Sequence, residues 1–348
     1  MSRYKVTLKP IDWFFFGGEQ TFDNGSSQSF IARSNRYPQQ TSLLGMVRYQ
    51  LLKQAGLLSE PGKKMTEEEK QNGEKLIGVS SFTLDSQAEQ HYGAIVGLSP
   101  VYIQHGEKLL LPMPYTFGTN MTFPSSDGKM CVGGDAIEVI PRLTVIPNYD
   151  YYKNPERLID AEGNFFSIND LFKSSMQIGI TKAQDGDDNE KGFFKQETLR
   201  FADDDTCFVF YLDLADGASL SNDNVFIGAQ RSCFKIEITS CEENSFVPPH
   251  PAHSILICSP TFVDDMNALN DCCLFHWSRS MPFRNIINSE NGRLKSGTVA
   301  YRRHTAVSTF LQPGSVLFYK KEKLEQIKTF LDNPNLKTIG YNNYHINE

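Results

Sequence analysis

YKVTLKPIDWFFFGG, residues 4–18, opens the chain with an apolar face, an aromatic run and a break. Val6 and Leu8 fall on one side of an extended segment, as the two-residue period of a strand requires, with Ile11 a further candidate for that face if the period breaks before it. Phe14, Phe15 and Phe16 follow, and Gly17 and Gly18 end the run as a loop. Further on, YPQQTSLLGMVRYQLL, residues 37–52, spaces Leu43, Leu44, Met46, Val47, Leu51 and Leu52 as a helix face does, with Thr41 or Ser42 available as N-cap. Strand, loop and helix in this order begin an α+β unit.

Working outward, the charged stretch 63–75 reads as an exposed helical insertion ending near Gly78. From Ile95 the pattern becomes β-rich, with strand-like pieces at 101–104 and 109–111 around a turn at His105 and Gly106. Segments 178–181 and 192–201 flank AQDGDDNEKG, residues 183–192, which predicts a long exposed hairpin. Its tip, 185–191, is too polar to bury apolar surface and is expected to be disordered in the free protein. Segments 207–214, 225–227, 233–238, 254–258 and 314–319 supply further strands. A helix over 322–331 follows from Leu324, Ile327, Phe330 and Leu331, and Gly340 marks a last turn. The expected class is α+β, with few helices and many antiparallel strands. At 348 residues the chain exceeds one ordinary core, so two domains are expected, 1–205 and 206–348.

Composition excludes several classes. No apolar run approaches the roughly 20 residues of a membrane span, and no signal-peptide cleavage site is evident, so a soluble cytoplasmic protein without membrane contact is expected. Seven cysteines, two of them the adjacent Cys272 and Cys273, include no C-x-x-C pair and read as reduced thiols. A net charge of -7 excludes nucleic-acid binding over the whole surface. Any such site is local, and from His276 to Lys321 eight cationic side chains stand against the single acid Glu290. Arg279, Arg284, Arg302 and Arg303 belong to this stretch, whose alternative is a solvated surface.

Enzyme motifs are missing: there is no phosphate-binding P-loop, no dinucleotide-binding glycine fingerprint and no H-E-x-x-H. His250 and His253 lack a third metal ligand nearby in sequence, and Asp203, Asp204 and Asp205 read as a solvated acidic turn. No metal and no cofactor are therefore expected. His304, beside Arg302 and Arg303, is the candidate for metal-independent acid–base chemistry, although a phosphate contact is the preferred reading. A second phosphate site is expected where Arg33 and Arg36 precede a helix start at Thr41 and Ser42, because a helix amino terminus presents N–H groups and partial positive charge. An ordinary capped core helix is the alternative. One ring of the aromatic run, taken as Phe16, with Gly17 and Gly18 beside it, is a candidate for stacking on a base, against the alternative of a core run.

Several stretches, in order, resemble one family. PIDWFFFGGEQTF (10–22) with YPQQTSLLGMVRYQLL (37–52) resembles the opening strand, loop and helix of RAMP proteins of CRISPR systems, and more closely the third-subunit family of type III-B Cmr complexes. GLSPVYIQHGEKLLLPMP (97–114), IGITKAQDG (178–186) with GFFKQETLRF (192–201), NVFIGAQRSCFKIEI (224–238) and LQPGSVLFY (311–319) extend the resemblance over nearly the whole chain. Two departures stand out: a C-terminal glycine-rich loop reduced to Ile339, Gly340, Tyr341, Asn342 and Asn343, and Gly228-Ala229 where a glycine pair is usual. The resemblance implies two ferredoxin-like (RRM-like) domains with long hairpin and loop insertions. It implies a non-catalytic RNA-binding subunit that holds the 5′ handle of the guide RNA (crRNA), touches target RNA indirectly, and meets the large polymerase-cyclase subunit and a backbone RAMP subunit. Arg48, Lys182 and Arg231, which lie in the resembling stretches, join the expected RNA contacts on this basis. A metal-independent RAMP endoribonuclease processing guide precursor, and a protein-only scaffold, remain as alternatives.

Overall fold

The structure, a computed structural model, describes residues 1–22, 30–58, 65–79, 82–84, 86, 88–116, 121–122, 129–132, 135–138, 157–180, 193–228, 232–241, 246–289, 301–304 and 306–348. In 19–22, 30, 121–122, 129–132, 135–138, 180, 193–194, 286–289 and 301–304 the description is of backbone only. The first strand, β1 (Ser2–Pro10), is followed by β2 (Phe16–Phe22), β3 (Phe30–Asn35), and the helices α1 (Gln40–Gln54) and α2 (Glu67–Ile77).

Alternation in β1 sends Val6 and Leu8 inward to full burial. The strand is central, antiparallel on one edge to Thr206–Leu214 (Val6 opposite Phe210) and on the other to Cys233–Ser240 (Val6 opposite Ile238). Tyr102–His105 adds to the far side of Thr206–Leu214, giving four strands in the order second, third, first, fourth. Leu43, Leu44, Met46, Val47 and Leu51 of α1 join the same hydrophobic cluster as Val6, Leu8 and Leu212. This strand order with a helix after the first strand is the ferredoxin-like arrangement, although Asp223–Phe226 fills the place of its second helix.

The expected division between 205 and 206 cuts this sheet. Both partners of β1 lie beyond position 205, and a unit ending there would leave both edges of its own first strand unpaired. The Asp203, Asp204 and Asp205 run is a hairpin turn, with the Asp203 carboxylate accepting from Asp205 N (3.1 Å) and Thr206 Oγ1 (2.7 Å). The first sheet closes at Ser240 instead.

Past that point the pattern repeats with both helices present. Ser254–Ile257, the helix Met266–Cys272, Cys273–Trp277, Val316–Tyr319, the helix Leu324–Leu331 and Tyr344–Asn347 follow one another, and the strands are wholly antiparallel. Their spatial order again sets the first strand between the third and the fourth. Leu269, Cys272, Ile327 and Leu331 from the helices bury against Ile255, Ile257 and Leu317. The chain thus has the expected α+β class, with two ferredoxin-type sheets.

Insertions decorate both units. Phe172–Ile180 and Phe193–Phe201 form a hairpin longer than the sequence indicates, joined to β3 by a parallel pairing and through it to β2. Met176 and Ile178 on its outer strand are exposed; the tip expected to be disordered lies outside the described residues. The α2 insertion starts at Thr66 in a capping box with Glu69 and ends at Gly78, close to expectation. Among the described residues, no helix is long and apolar enough to cross a membrane.

Candidate nucleic-acid interface

The loop between β1 and β2 is fixed by its backbone. Phe14 exchanges backbone hydrogen bonds with Leu199, Phe15 N donates to Ser232 Oγ (3.0 Å), and Phe16 N donates to Ser34 Oγ (3.0 Å). Gly17 lies exposed with its carbonyl held by Asn35 Nδ2 at 2.7 Å, and half-buried Gly18 sits against the Arg33 carbonyl. Gly228 closes on this loop from the other side. Its φ of +84° is a left-handed conformation, and a Cβ there would come within 2.6 Å of the Phe15 carbonyl oxygen. Glycine is the residue that this approach accepts.

The aromatic run does not offer Phe16 to a ligand. Phe14 and Phe16 are buried, 4.8 Å apart, and Phe16 stacks on Phe234 at 5.8 Å while Phe14 meets Phe201 and Phe208. Phe16 is core, because the rings that enclose it, Phe208 and Phe234, arrive from strands far later in the chain. Phe15, between them, is half-buried.

The amino end of α1 also differs from expectation. Gln39 is the N-cap without a side-chain bond, so Thr41 and Ser42 fall inside the first turn, both half-buried. Gln40 is buried with its amide donating to the Ser99 carbonyl (2.7 Å), and Gly340 packs so closely on these two groups that a side chain would collide with both. Tyr341, buried beside it, has its phenol pushed up by burial, opposed by backbone and side-chain groups of Gln40 and Thr41. The helix end is packed beneath the C-terminal segment rather than presented to a phosphate.

The cationic residues divide. Arg33 and Arg284 are exposed. Arg36 donates to Asn169 Oδ1 at 2.6 Å. Arg48 donates to the Gly78 carbonyl at 3.1 Å and its pKa is lowered by burial, with Tyr92 opposing, so it ties α1 to the end of α2. Arg279 lies 4.7 Å over the Tyr115 ring. These latter two have structural placements. Arg302, Arg303 and His304 lie in the strand Tyr301–His304, antiparallel to Ile286–Ser289 with Arg302 opposite Asn288 and Arg303 opposite Ile287. The extended backbone agrees with the alternation in sequence; the side chains, like Lys182 and Arg231 altogether, lie outside the described residues.

What the sequence left unmarked is a groove of about 580 Å³ between α1 and Asp223–Phe226. Ser42, Gly45, Tyr49 and Gln50 line one wall, and Phe226 and Gly228 belong to the other. Lys53 Nζ meets Asp223 Oδ2 at 2.6 Å, and Gln54 and Ser221 exchange two hydrogen bonds of 3.2 Å, so the walls are fastened at one end. At the other end stands Gly228 against Phe15. Tyr49 and Phe226 were hidden in sequence because each reads as one more apolar residue on a helix or strand.

Elsewhere, strongly shifted groups have structural explanations. Burial would raise Asp160, yet Lys108 Nζ (2.8 Å), Asn164 Nδ2 (2.8 Å) and Asn164 N (2.7 Å) hold its carboxyl well below the usual range. His250 has Nε2 3.0 Å from His345 Nδ1 and Nδ1 2.8 Å from Ser254 Oγ; burial, then His345, bring its pKa down to about 4. Among the described residues, no three His, Cys, Asp or Glu side chains gather to hold a metal ion.

Residues 6–129 match the family described as CRISPR-associated protein (Cas_Cmr3). No curated protein matches the chain. Among solved structures, a chain in the cryo-EM structure of the Type III-B Cmr-beta bound to cognate target RNA is similar at 15% identity and a TM-score of 0.50, over 98% of this chain and 96% of that one. A chain in Cmr-beta bound to cognate target RNA and AMPPnP, state 1, aligns at 13% identity and a TM-score of 0.47, over 97% and 94%. The first of these likenesses concerns the fold. The matched residues carry β1 from Val6 onward, the loop with Gly17 and Gly18, and all of α1. That match, over about a third of the chain, is a similarity to the Cas_Cmr3 family of CRISPR-associated proteins confined to residues 6–129.

Proposed function

We propose that the chain is a non-catalytic subunit of a type III-B CRISPR effector complex that holds the 5′ handle of the guide RNA. The observation that carries this reading is the Cas_Cmr3 match over residues 6–129, because the matched segment builds the β1–β2 loop and α1 beside Gly228. Two ferredoxin-type sheets, an architecture that presents RNA-binding surfaces in RRM-like modules, support it. So does the Type III-B Cmr-beta bound to cognate target RNA, a complex containing a chain of like fold. Within such an assembly the exposed Met176 and Ile178 of the hairpin are available to a neighbouring subunit, the backbone RAMP subunit or the large polymerase-cyclase subunit.

The test is incubation of the full chain with a repeat-derived RNA carrying the handle, without metal. Retention without cleavage is the expected outcome. Cleavage would favour a guide-processing endoribonuclease, and neither binding nor cleavage a protein-only scaffold. Because the net charge is -7, binding rests on local cation–phosphate contacts and falls as salt rises from about 50 to 200 mM. Affinity indifferent to salt over that range would contradict the phosphate component.

A further inference from the structure

We propose that the groove between α1 and Asp223–Phe226 is a nucleobase pocket, in which Tyr49 and Phe226 take the faces of a splayed RNA base and Gln50 binds its edge. The proposal rests on the RNA-holding reading above and gives that reading a site. Tyr49 is 53% exposed and Phe226 62%, although both are large aromatic side chains. One exposed ring is ordinary on a protein surface. Here two line one groove, from opposite walls, and every base has a π-face that such rings stack on without regard to sequence.

Gln50 supplies the second, independent observation. It is 1% exposed, lines the same groove, and its Oε1 has no hydrogen-bond partner among the described residues. A buried amide left without a partner is destabilising, and groups of this kind mark places where a ligand completes the bonding. The amide suits a ligand whose rim alternates donors and acceptors, since its carbonyl accepts and its NH2 donates.

The remaining lining fits a flat ligand. Gly45 has nothing within 4 Å of where a Cβ would stand, so α1 is open at that point. The ion pair of Lys53 with Asp223 and the paired bonds of Gln54 with Ser221 hold the walls before anything binds. An aliphatic or phenyl side chain from a partner protein would cover the rings and leave Gln50 unsatisfied. A base satisfies both, and its backbone phosphates would remain outside the groove.

The experiment compares the full chain and its variants on oligoadenylate and on an abasic ribose-phosphate strand of equal length and charge. The wild-type chain should bind the base-bearing strand about tenfold more tightly than the abasic one, the size expected for one stacked base. Tyr49→Ala and Phe226→Ala should remove most of that difference and leave abasic binding unchanged. Gln50→Leu should weaken only the base-bearing strand, about fivefold, with Tm equal to or above wild type because an unsatisfied buried group has gone. Variants that weaken both strands alike, or neither, would overturn the pocket, as would a groove whose variants lose a partner protein while keeping base-bearing RNA. A wild-type chain that fails to retain handle-bearing RNA would instead sink the reading of the previous subsection. Retention of that RNA by all groove variants would sink the pocket alone.

Discussion

Gly228 shows how much a single position decides. Its backbone sits at φ +84° with the Phe15 carbonyl and the Phe16 ring where a side chain would go. Gly228→Ala is therefore expected to lower stability by about 1 kcal/mol or more, through left-handed strain and a displaced loop. It should also weaken RNA retention, since the loop and the groove share this residue. A thermal melt beside a binding titration checks it; an unchanged Tm would mean that the loop yields freely. In sequence, Gly228 before Ala229 looked like a diminished glycine pair, and nothing local told that its neighbour would be Phe15. The same limit explains Phe16. Periodicity says that Phe14 and Phe16 share a face, but only Phe208 and Phe234, from distant strands, make that face interior. Arg48 was legible as a cation and not as the partner of the Gly78 carbonyl, because that contact depends on where α2 ends.

Elements with enough length declared themselves. β1, α1 and the strands Thr206–Leu214 and Val316–Tyr319 follow from their own apolar residues, and α2 from its charged run closed by Gly78. The helices Met266–Cys272 and Pro334–Thr338, at 7 and 5 residues, are too short for a period to show, and both rely on side-chain caps, Asp265 and Asn333. Helix α1 lacks such a cap because the C-terminal segment covers its first turn, a tertiary substitution invisible within residues 37–52. The last strand pairing has a pH dependence of its own. His250 and His345 join the start of Ser254–Ile257 to Tyr344–Asn347, and His250 ionises near 4 in the fold against about 6.5 when unfolded. A depressed folded value means that the unfolded chain binds the proton first. Stability from this group is thus complete above about pH 6.5 and is lost progressively down to about pH 4. His276, also lowered by burial, acts in the same direction. His250→Asn should flatten the fall in Tm between pH 6.5 and 4.5; an unchanged slope would place the titration elsewhere.

At the scale of the whole molecule, the twin sheets were legible as a class, while their boundary was not. An acidic turn at 203–205 imitates a linker, yet the chain crosses it to supply both partners of its first strand. The two units also share core: Phe283, Phe310 and Tyr341 belong to the cluster that holds Val6 and Leu43, so the second unit buttresses the face on which α1 lies. That arrangement leaves Tyr49 on the outer side of α1 and Phe226 of the strand Asp223–Phe226 exposed, the surface proposed above to meet RNA. Zero-length ultraviolet cross-linking of the guide-loaded effector, purified through this chain and followed by peptide mapping, tests the claim most directly. Handle nucleotides should be attached within 40–54 or 223–228, and Tyr49→Ala with Phe226→Ala should abolish those products. Handle cross-links confined to other subunits, or to the sheet containing Ser254–Ile257, would contradict it.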